Sequence, residues 1–389
     1  MQSMWLIHVE TTSGSLPNAN HELCIYHGLE QWKTGALAGT PETLRSEAIT
    51  GLVSVGQAGH LRVKEGYDRD HSPLYYLTCA APILVRPSAI PMESTLGQWW
   101  AATPYLFFGV MLGGSLWYVS RRLYGNTGGY IALALYCFSP ATIMSAAGSL
   151  NLGEIGGTWG AFGTVFTAIA VAHTLYAPRE VVLWNARRIL LLGLSLFLAV
   201  GNQFSLAVLA LLALLVMFWV APVRPRAVIV IWITAVAVCA ILLLLAYFAR
   251  PVLLWNSLLH ACWADFEPAA FGLSVSYSQM LRWLLAGSPA LILALPSSLV
   301  AYIAWRRTRY FGNTAPLAIA VFFMVLEIMS PNFPGNGFRL AFLVFFFVFV
   351  AGVFADLFET RHAALLRGCV FGLLAAAAFR NIIVLAFSR

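Results

Sequence analysis

Two acidic residues lie at the borders of apolar segments, where a carboxylate can also reach water. Glu22 follows Asn20 and His21 in NHELCIYHGLEQWKTG (20–35), whose apolar residues recur with the spacing of an amphipathic helix. Glu154 lies between two long apolar segments. A carboxylate in such a position can act as a general base toward a hydroxyl or an amine. The alternatives are a solvated helix capped by Asn20, and for Glu154 a carboxylate that merely reaches water.

A second cluster lies where a charged stretch gives way to an aromatic, apolar one. Asp70 and His71 directly precede Ser72 and Pro73, and Tyr75 follows. Because proline is favoured in the first turn of a helix, the pattern predicts that a helix begins here. Tyrosine is enriched at the membrane–water interface, so we expect the cluster to lie at that level. The alternative interpretation is a simple transition from a loop to the interface.

The least hydrated carboxylate of the sequence is Glu327, within VFFMVLEIMS. A carboxylate among apolar residues either takes up a proton or needs a cationic partner. Arg339 follows PNFPGNGF (331–338) and is near enough along the chain to be that partner. Alternatively, Arg339 clamps a phosphate group, since its planar guanidinium matches phosphate oxygens. Ionisable residues at membrane depth are functional candidates, so both side chains enter the predicted site.

The composition indicates what kind of protein positions these residues. Of the 389 residues 60% are hydrophobic and only 10% are charged, and the mean hydropathy is +0.78. An ordinary soluble domain carries about 25% charged residues. A soluble fold could not bury this much apolar surface, so the composition excludes a soluble enzyme. It also excludes a disordered chain. The net charge of +7 does not indicate a nucleic-acid partner, because the arginines occur in short turns.

Long apolar segments separated by short turns predict an all-α polytopic membrane protein with about ten transmembrane helices. Residues 1–100 are expected to form a polar region with amphipathic and interfacial helices, and residues 101–389 the transmembrane domain. Gly201 and Asn202 interrupt one long apolar stretch, which favours a tight hairpin of two short helices. The candidate spans lie at roughly 101–120, 128–146, 156–176, 189–202, 204–221, 228–248, 286–304, 315–330, 338–356 and 368–386.

Arginine is concentrated in alternate turns, and this alternation predicts the orientation of the chain. The positive-inside rule assigns the arginine-rich turns to the cytosol, so residues 1–100 are expected outside. No full span precedes them in the sequence, and we therefore expect that an upstream helix is missing from this chain. Alternatively, the proline-rich segment 72–90 enters the membrane as a re-entrant or interfacial helix.

The order of these features resembles the GT-C superfamily of polyprenyl-phosphate-dependent membrane glycosyltransferases. This superfamily includes protein O-mannosyltransferases and the lipid A aminoarabinose transferase. The segments that carry the resemblance are GLEQWKTG (28–35), HSPLYYL (71–77), RRLYGNTGGYIALALYCFSP (121–140), LGLSLFLAVGNQFSLAVLALLAL (192–214) and NGFRLAFLVFF (336–346). They are similar, in order, to the stretch after the family's acidic pair, its closing loop motif, its cytoplasmic turn, its short hairpin and its late arginine.

The resemblance implies a sugar transferred from a polyprenyl-phosphate donor to a lipid, glycan or protein acceptor on the extracytoplasmic face of the bacterial inner membrane. It implies that Arg339 binds the phosphate and that Glu22 or Glu154 is the base. The donor is then a co-substrate, and no cofactor or metal is expected; the six cysteines also lack metal-ligand spacing. The further substrate-binding candidates are Asn20, His21, Asp70, His71, Tyr75 and Glu327.

The chain departs from the family pattern at its first acidic motif. The acidic pair would fall near Asn20 and His21, and an asparagine cannot accept a proton at neutral pH. Either Glu22 or Glu154 then acts as the base, or the chain is a catalytically inactive subunit of a membrane complex. A further alternative is a transporter or flippase of a lipid-linked substrate, with Glu327 as a proton relay. Transporters commonly contain two similar halves, and the sequence contains no such symmetry.

Overall fold

The computed structural model describes residues 95–146, 153–176, 182–247, 287–329, 338–360 and 363–387, with single positions between Ser72 and Ile90 and between Ala249 and Leu284. Over these residues the regular structure is helical and contains no strand, as the hydropathy predicts. The helices are α1 (Thr95–Cys137), α2 (Pro140–Ala146), α3 (Gly153–Thr174), α4 (Val182–Asn202), α5 (Val208–Val220), α6 (Pro225–Ala246), α7 (Leu291–Ala304), α8 (Phe311–Met329), α9 (Arg339–Phe358) and α10 (Ala363–Phe387).

Every predicted span overlaps a helix, and the differences at the boundaries have local causes. The first two spans belong to one helix, α1, which is interrupted at Gly125 with φ 74° and ψ −174°. Only glycine adopts this conformation without strain, so a single residue serves as the turn. The second span ends early, at Cys137, because Pro140 begins α2. Proline fits the first turn of a new helix, where no backbone donor is required.

The break predicted at Gly201 and Asn202 is the end of α4. A 3₁₀ turn, Phe204–Ala207, then leads directly into α5. The arrangement differs from a simple hairpin, because α4 and α5 both pack against α3, and α4 packs also against α6. The chain therefore reverses at the predicted residues, but α3 supplies the main packing surface for both helices.

Four described helices are long and apolar enough to cross a bilayer: α3, α6, α8 and α9. The segment Phe204–Val220 and α7 are shorter apolar helices. Helix α6 keeps large apolar side chains exposed, such as Ile233 at 54% and Leu245 at 64%. Side chains of this kind suit contact with lipid tails, which are as apolar as the residues themselves. The chain is an α-helical integral membrane protein.

The described residues form two compact units. Unit 1 comprises α1 up to Phe108 together with α3 to α6. Small residues let α3 approach α4 closely, since a methyl group added at Gly160 would come within 2.7 Å of the Ala199 Cα. The apolar core at the other end of these helices joins α3, α4, α5 and α6. It contains Ala168, Val171, Ala172, Leu175, Leu192, Ala213, Met217, Ala221, Val228, Ile231 and Ala235.

Unit 2 comprises the rest of α1, α2 and α7 to α10. Its central element is α9, which is buried at every position from Leu340 to Ala355. A helix that is hydrophobic on all sides requires partners on all sides, and α7, α8 and α10 supply them here. The ring of Phe323 on α8 stacks on Phe338 at 6.1 Å and on Phe345 at 5.7 Å. These stacks hold α8 firmly against the first two turns of α9.

Candidate functional site

In unit 2, an ion pair joins the last turn of α8 to the first residue of α9. Arg339 Nε donates a hydrogen bond to Glu327 Oε1 at 2.6 Å. The Glu327 side chain is only 3% exposed, whereas that of Arg339 is 27% exposed. The partner predicted for Glu327 from the sequence is therefore the one observed. The carboxylate of the pair is therefore buried, and the arginine side chain is partly exposed.

The second oxygen of Glu327 is also occupied. Glu327 Oε2 accepts a hydrogen bond from the backbone N–H of Phe338 at 3.1 Å. The first N–H groups of a helix have no partner within the helix, and a negative charge beside them is stabilising. Glu327 thus serves two donors at the start of α9, the backbone of Phe338 and the side chain of Arg339. A buried carboxylate with both oxygens satisfied costs far less than a lone one.

In unit 1, Ser72 connects the predicted interfacial helix to the end of α4. Its Oγ accepts a hydrogen bond from the Leu74 N–H at 3.1 Å and donates one to the Gly201 carbonyl at 2.5 Å. Leu74, Thr78, Pro82 and Val85 have helical backbone, and Thr78 Oγ1 donates to the Leu74 carbonyl at 2.8 Å. The described residues that follow Ser72 thus have helical backbone where the sequence predicts a helix, and the Ser72 hydroxyl caps the Leu74 N–H.

Two buried amides follow Gly201 at the end of α4. Asn202 Nδ2 donates to the Leu198 carbonyl at 2.7 Å, and Gln203 Nε2 donates to Ser205 Oγ at 2.8 Å. A methyl group added at Gly156 of α3 would lie 3.0 Å from Asn202 Oδ1, so the first turns of α3 lie directly beside these amides. Of these two amides, the sequence pattern indicated only Asn202, as part of a helix break. An Asn–Gln pair inside an apolar run is itself a signal, because buried amides require partners.

The predicted site residues differ in what the structure describes of them. Glu327 and Arg339 are in contact, and Glu154 belongs to the first turn of α3. The rest lie outside the described residues; these are Asn20, His21, Glu22, Asp70, His71 and Tyr75. Within the described part of the chain, no group of three histidine, cysteine, aspartate or glutamate side chains is placed to hold a metal ion.

Sequence reasoning found the ion pair but missed the backbone contact beside it. No hydropathy pattern indicates that the Phe338 N–H reaches Glu327, because the two residues are brought together only by the packing of α8 on α9. A weak signal exists in the position of Glu327 near the end of one apolar segment and of Phe338 at the start of the next. The contact of Ser72 with Gly201 joins residues far apart in the chain and had no signal beyond the capping preference of serine.

No family model matches this chain, and no curated protein matches it. Among solved structures it is similar to the archaeal oligosaccharyltransferase AglB from Archaeoglobus fulgidus, solved in complex with an inhibitory peptide and a dolichol-phosphate. The TM-score is 0.52 and the identity 13%, over 82% of this chain and 47% of AglB. The chain thus spans about half the length of that enzyme. At this identity the likeness concerns the fold, and the chain has a GT-C-like membrane fold.

Proposed function

We propose that the chain is a membrane glycosyltransferase that moves a sugar from a polyprenyl-phosphate donor to an acceptor on the extracytoplasmic face. The observation that carries the proposal is the Glu327–Arg339 pair, a guanidinium held at a helix end in a GT-C-like fold. A guanidinium matches phosphate oxygens in charge and in geometry. AglB, which has a similar fold, was solved with a dolichol-phosphate bound, and a lipid phosphate is the ligand class we infer here.

In the proposed reaction the acceptor attacks the anomeric carbon of the sugar while the bond to the phosphate oxygen breaks. Negative charge then develops on the departing polyprenyl phosphate, and Arg339 offsets it. Cleavage of the bond adds one negative charge to the phosphate, and one guanidinium offsets that added charge in this scheme. Glu22 or Glu154 takes the proton of the acceptor, which is a lipid, a glycan or a protein. Asn20, His21, Asp70, His71 and Tyr75 line the sugar and acceptor sites.

The contacts of Glu327 fit a residue that holds Arg339 in place. Both oxygens of Glu327 accept hydrogen bonds from donors that stabilise the charged form. The carboxylate is therefore placed to hold Arg339. We propose the bacterial inner membrane as the location.

The test is transfer of radiolabelled sugar by the full chain in nanodiscs, using undecaprenyl-phosphate mannose and undecaprenyl-phosphate aminoarabinose as donors. Total membrane lipid, glycan and protein fractions serve as acceptors. We expect Arg339→Gln to lower kcat by about 100-fold or more, the range for loss of one group that stabilises a developing charge. We expect Glu22→Gln or Glu154→Gln to abolish transfer. Arg307→Gln is the matched control, because it breaks an exposed ion pair with Glu359.

Wild-type rates in the Arg339, Glu22 and Glu154 variants together would overturn the proposal. Absence of any transfer, combined with flux of the lipid-linked sugar across proteoliposomes, would favour the transporter hypothesis. Absence of both, with stable co-purification in a larger complex, would favour the inactive subunit.

A further inference from the structure

We propose that the turn between α7 and α8 binds the headgroup of an anionic phospholipid, whose acyl chains lie along the exposed face of α7. The turn contains two exposed arginines, Arg306 and Arg309, between two apolar helices of unit 2. It lies at the opposite end of α8 from Glu327, so the inference is independent of the proposed sugar transfer.

The position of the turn in the chain indicates that it lies at the level of the lipid headgroups. Helix α7 ends at Ala304, and α8, which is long and apolar enough to cross a bilayer, begins at Phe311. Arg306 follows the end of α7 closely, and Arg309 closely precedes the start of α8. Tyr310 beside them is 39% exposed, and tyrosine is enriched at this level. Basic residues immediately beside a membrane span attract anionic lipids.

Arg309 offsets the electrostatic obstacle that a helix end presents to an anion. The last carbonyls of a helix carry a partial negative charge, which repels a phosphate. Arg309 Nε donates a hydrogen bond to the Tyr302 carbonyl at 3.0 Å, and its Nη2 donates to the Ile303 carbonyl. The guanidinium thus covers the end of α7 and adds a positive charge there. No residue that the structure describes forms a hydrogen bond or an ion pair with the Arg306 side chain, so its charge is available to a ligand.

Hydrogen bonds hold the backbone of the turn in one conformation. Thr308 is completely buried, and its hydroxyl donates to the Trp305 carbonyl at 2.7 Å. The Thr308 carbonyl accepts a hydrogen bond from Asn313 Nδ2 at 3.0 Å. The hydroxyls of Tyr302 and Thr314 are 2.8 Å apart and join α7 to α8. A turn fixed in this way presents both arginines without a further loss of backbone freedom when a ligand binds.

Two carboxylates lie near the turn, and both are engaged by groups of the protein. Glu359 pairs with Arg307 at 3.3 Å, and Asp356 Oδ2 accepts a hydrogen bond from Asn313 Nδ2 at 2.8 Å. The two arginines of the proposed site therefore remain without an acidic partner among the described residues. A zwitterionic lipid would bring its own cation toward them, whereas an anionic lipid brings only negative charge. The charge of the turn thus favours the anionic headgroup.

An exposed apolar face of α7 leads from the turn into the membrane. Val300 is 67% and Ile303 65% exposed, and their spacing places them on the same face of the helix. The opposite face, with Ala294 and Ser298, is buried, and α7 packs against α9. A phospholipid whose phosphate lies beside the arginines can extend its chains along Val300 and Ile303. A soluble anion would leave this face unused, so we infer a lipid as the occupant.

The experiment measures binding of the first lipid molecule to the delipidated full chain in detergent, by native mass spectrometry. The probes are palmitoyl-oleoyl phosphatidylglycerol and palmitoyl-oleoyl phosphatidylcholine, which share their acyl chains, so the ratio of affinities isolates the headgroup contribution. We expect the wild type to prefer phosphatidylglycerol. Arg306→Gln and Arg309→Gln should each lower the ratio about fivefold, the factor for one basic residue near an anionic lipid surface. Arg306→Lys keeps the charge and should keep most of the preference.

Arg224→Gln is the matched control, because Arg224 is an exposed arginine in the turn before α6 of unit 1. We expect it to leave the ratio unchanged. The double variant Val300→Ser and Ile303→Ser tests the apolar face: it should weaken the binding of both lipids and leave their ratio unchanged.

Three results would overturn the inference. The first is a wild type without preference, or an unchanged ratio in Arg306→Gln. The second is an equal loss in Arg224→Gln, which would make the preference a property of the total positive charge. The third is displacement of phosphatidylglycerol by an equal concentration of glycerol phosphate, or full lipid affinity in the Val300 and Ile303 variant, since the ligand would then be a soluble phosphate. Should Arg309→Gln not fold, Arg306→Gln decides alone.

Discussion

At the scale of single residues, one hydroxyl does two tasks at the start of the interfacial helix. Ser72 accepts the Leu74 N–H as an N-cap and donates to the Gly201 carbonyl, and it is completely buried. The serine thus links Leu74 to the end of α4. Leu74 strengthens the link, since it lies within 2.6 Å of where a Gly201 methyl group would be.

We expect Ser72→Ala to destabilise the protein by about 1–2 kcal/mol. The substitution removes the cap of the Leu74 N–H and the hydrogen bond that the Gly201 carbonyl accepts. The measurement is the midpoint of thermal unfolding in detergent. Ser297→Ala is the matched control, since its hydroxyl bonds only the Ala294 carbonyl of its own helix. Equal midpoints for the two variants would mean that the Gly201 contact contributes nothing to stability.

At the scale of elements, a proline in one helix is compensated by a tyrosine from another. Pro316 of α8 has no N–H, so the Gly312 carbonyl lacks its usual partner four residues on. Tyr124, next to the break in α1, donates its hydroxyl to that carbonyl at 2.5 Å. Gly352 of α9 makes room for the Tyr124 ring, because an added methyl group would lie 2.6 Å from Tyr124 Cζ. Three helices of unit 2 meet at this contact.

We expect Tyr124→Phe to destabilise the protein by about 1 kcal/mol or more, because the Gly312 carbonyl then lacks a donor. In a Pro316→Ala background the restored N–H pairs with that carbonyl within α8, so Tyr124→Phe should cost little there. The test is a double-mutant cycle on unfolding in detergent. If Tyr124→Phe lowers the free energy of unfolding equally in both backgrounds, the Tyr124 hydroxyl does not act through the Gly312 carbonyl.

At the scale of the whole molecule, exposed arginines mark the helix ends that the sequence assigns to the cytosol. In unit 2, Arg121 stacks on Trp117 at 5.1 Å and Arg122 bonds the Tyr118 hydroxyl at 3.3 Å. Arg309 Nε donates at 3.0 Å to the Tyr302 carbonyl at the end of α7. Cations near the last carbonyls of a helix are stabilised by its dipole. The same residues therefore stabilise the helix ends, and the positive-inside rule predicts that they also favour one orientation.

We expect Cys24, kept as the sole cysteine, to react with a membrane-impermeant maleimide in intact cells. A cysteine at position 126, beside the α1 break, should react only after permeabilisation, because the positive-inside rule assigns that turn to the cytosol. The measurement is gel detection of the labelled full chain. The reverse labelling pattern would show that the orientation is opposite to the predicted one, and the proposed site would then not be extracytoplasmic.

The helices themselves were predictable, because hydropathy is a local property and a bilayer imposes it directly on each segment. Every predicted span overlaps a helix, and the break at Gly201 and Asn202 lies at the end of α4. Boundaries were less predictable: a single glycine at position 125 replaces the expected turn, and Pro140 divides the second span. Such choices depend on how neighbouring helices fill space, which a window of sequence does not contain.

The sequence by itself determined that this is a helical membrane protein, and it named Glu327 and Arg339 as partners. Both conclusions follow from solvation, since apolar segments and lone charges have few acceptable environments in a bilayer. Only the tertiary structure decided that the second oxygen of Glu327 binds the Phe338 backbone, and that Ser72 reaches Gly201. These contacts depend on distances between separate helices. Such distances are set by the packing of small and aromatic side chains, and they leave no periodic trace in the chain.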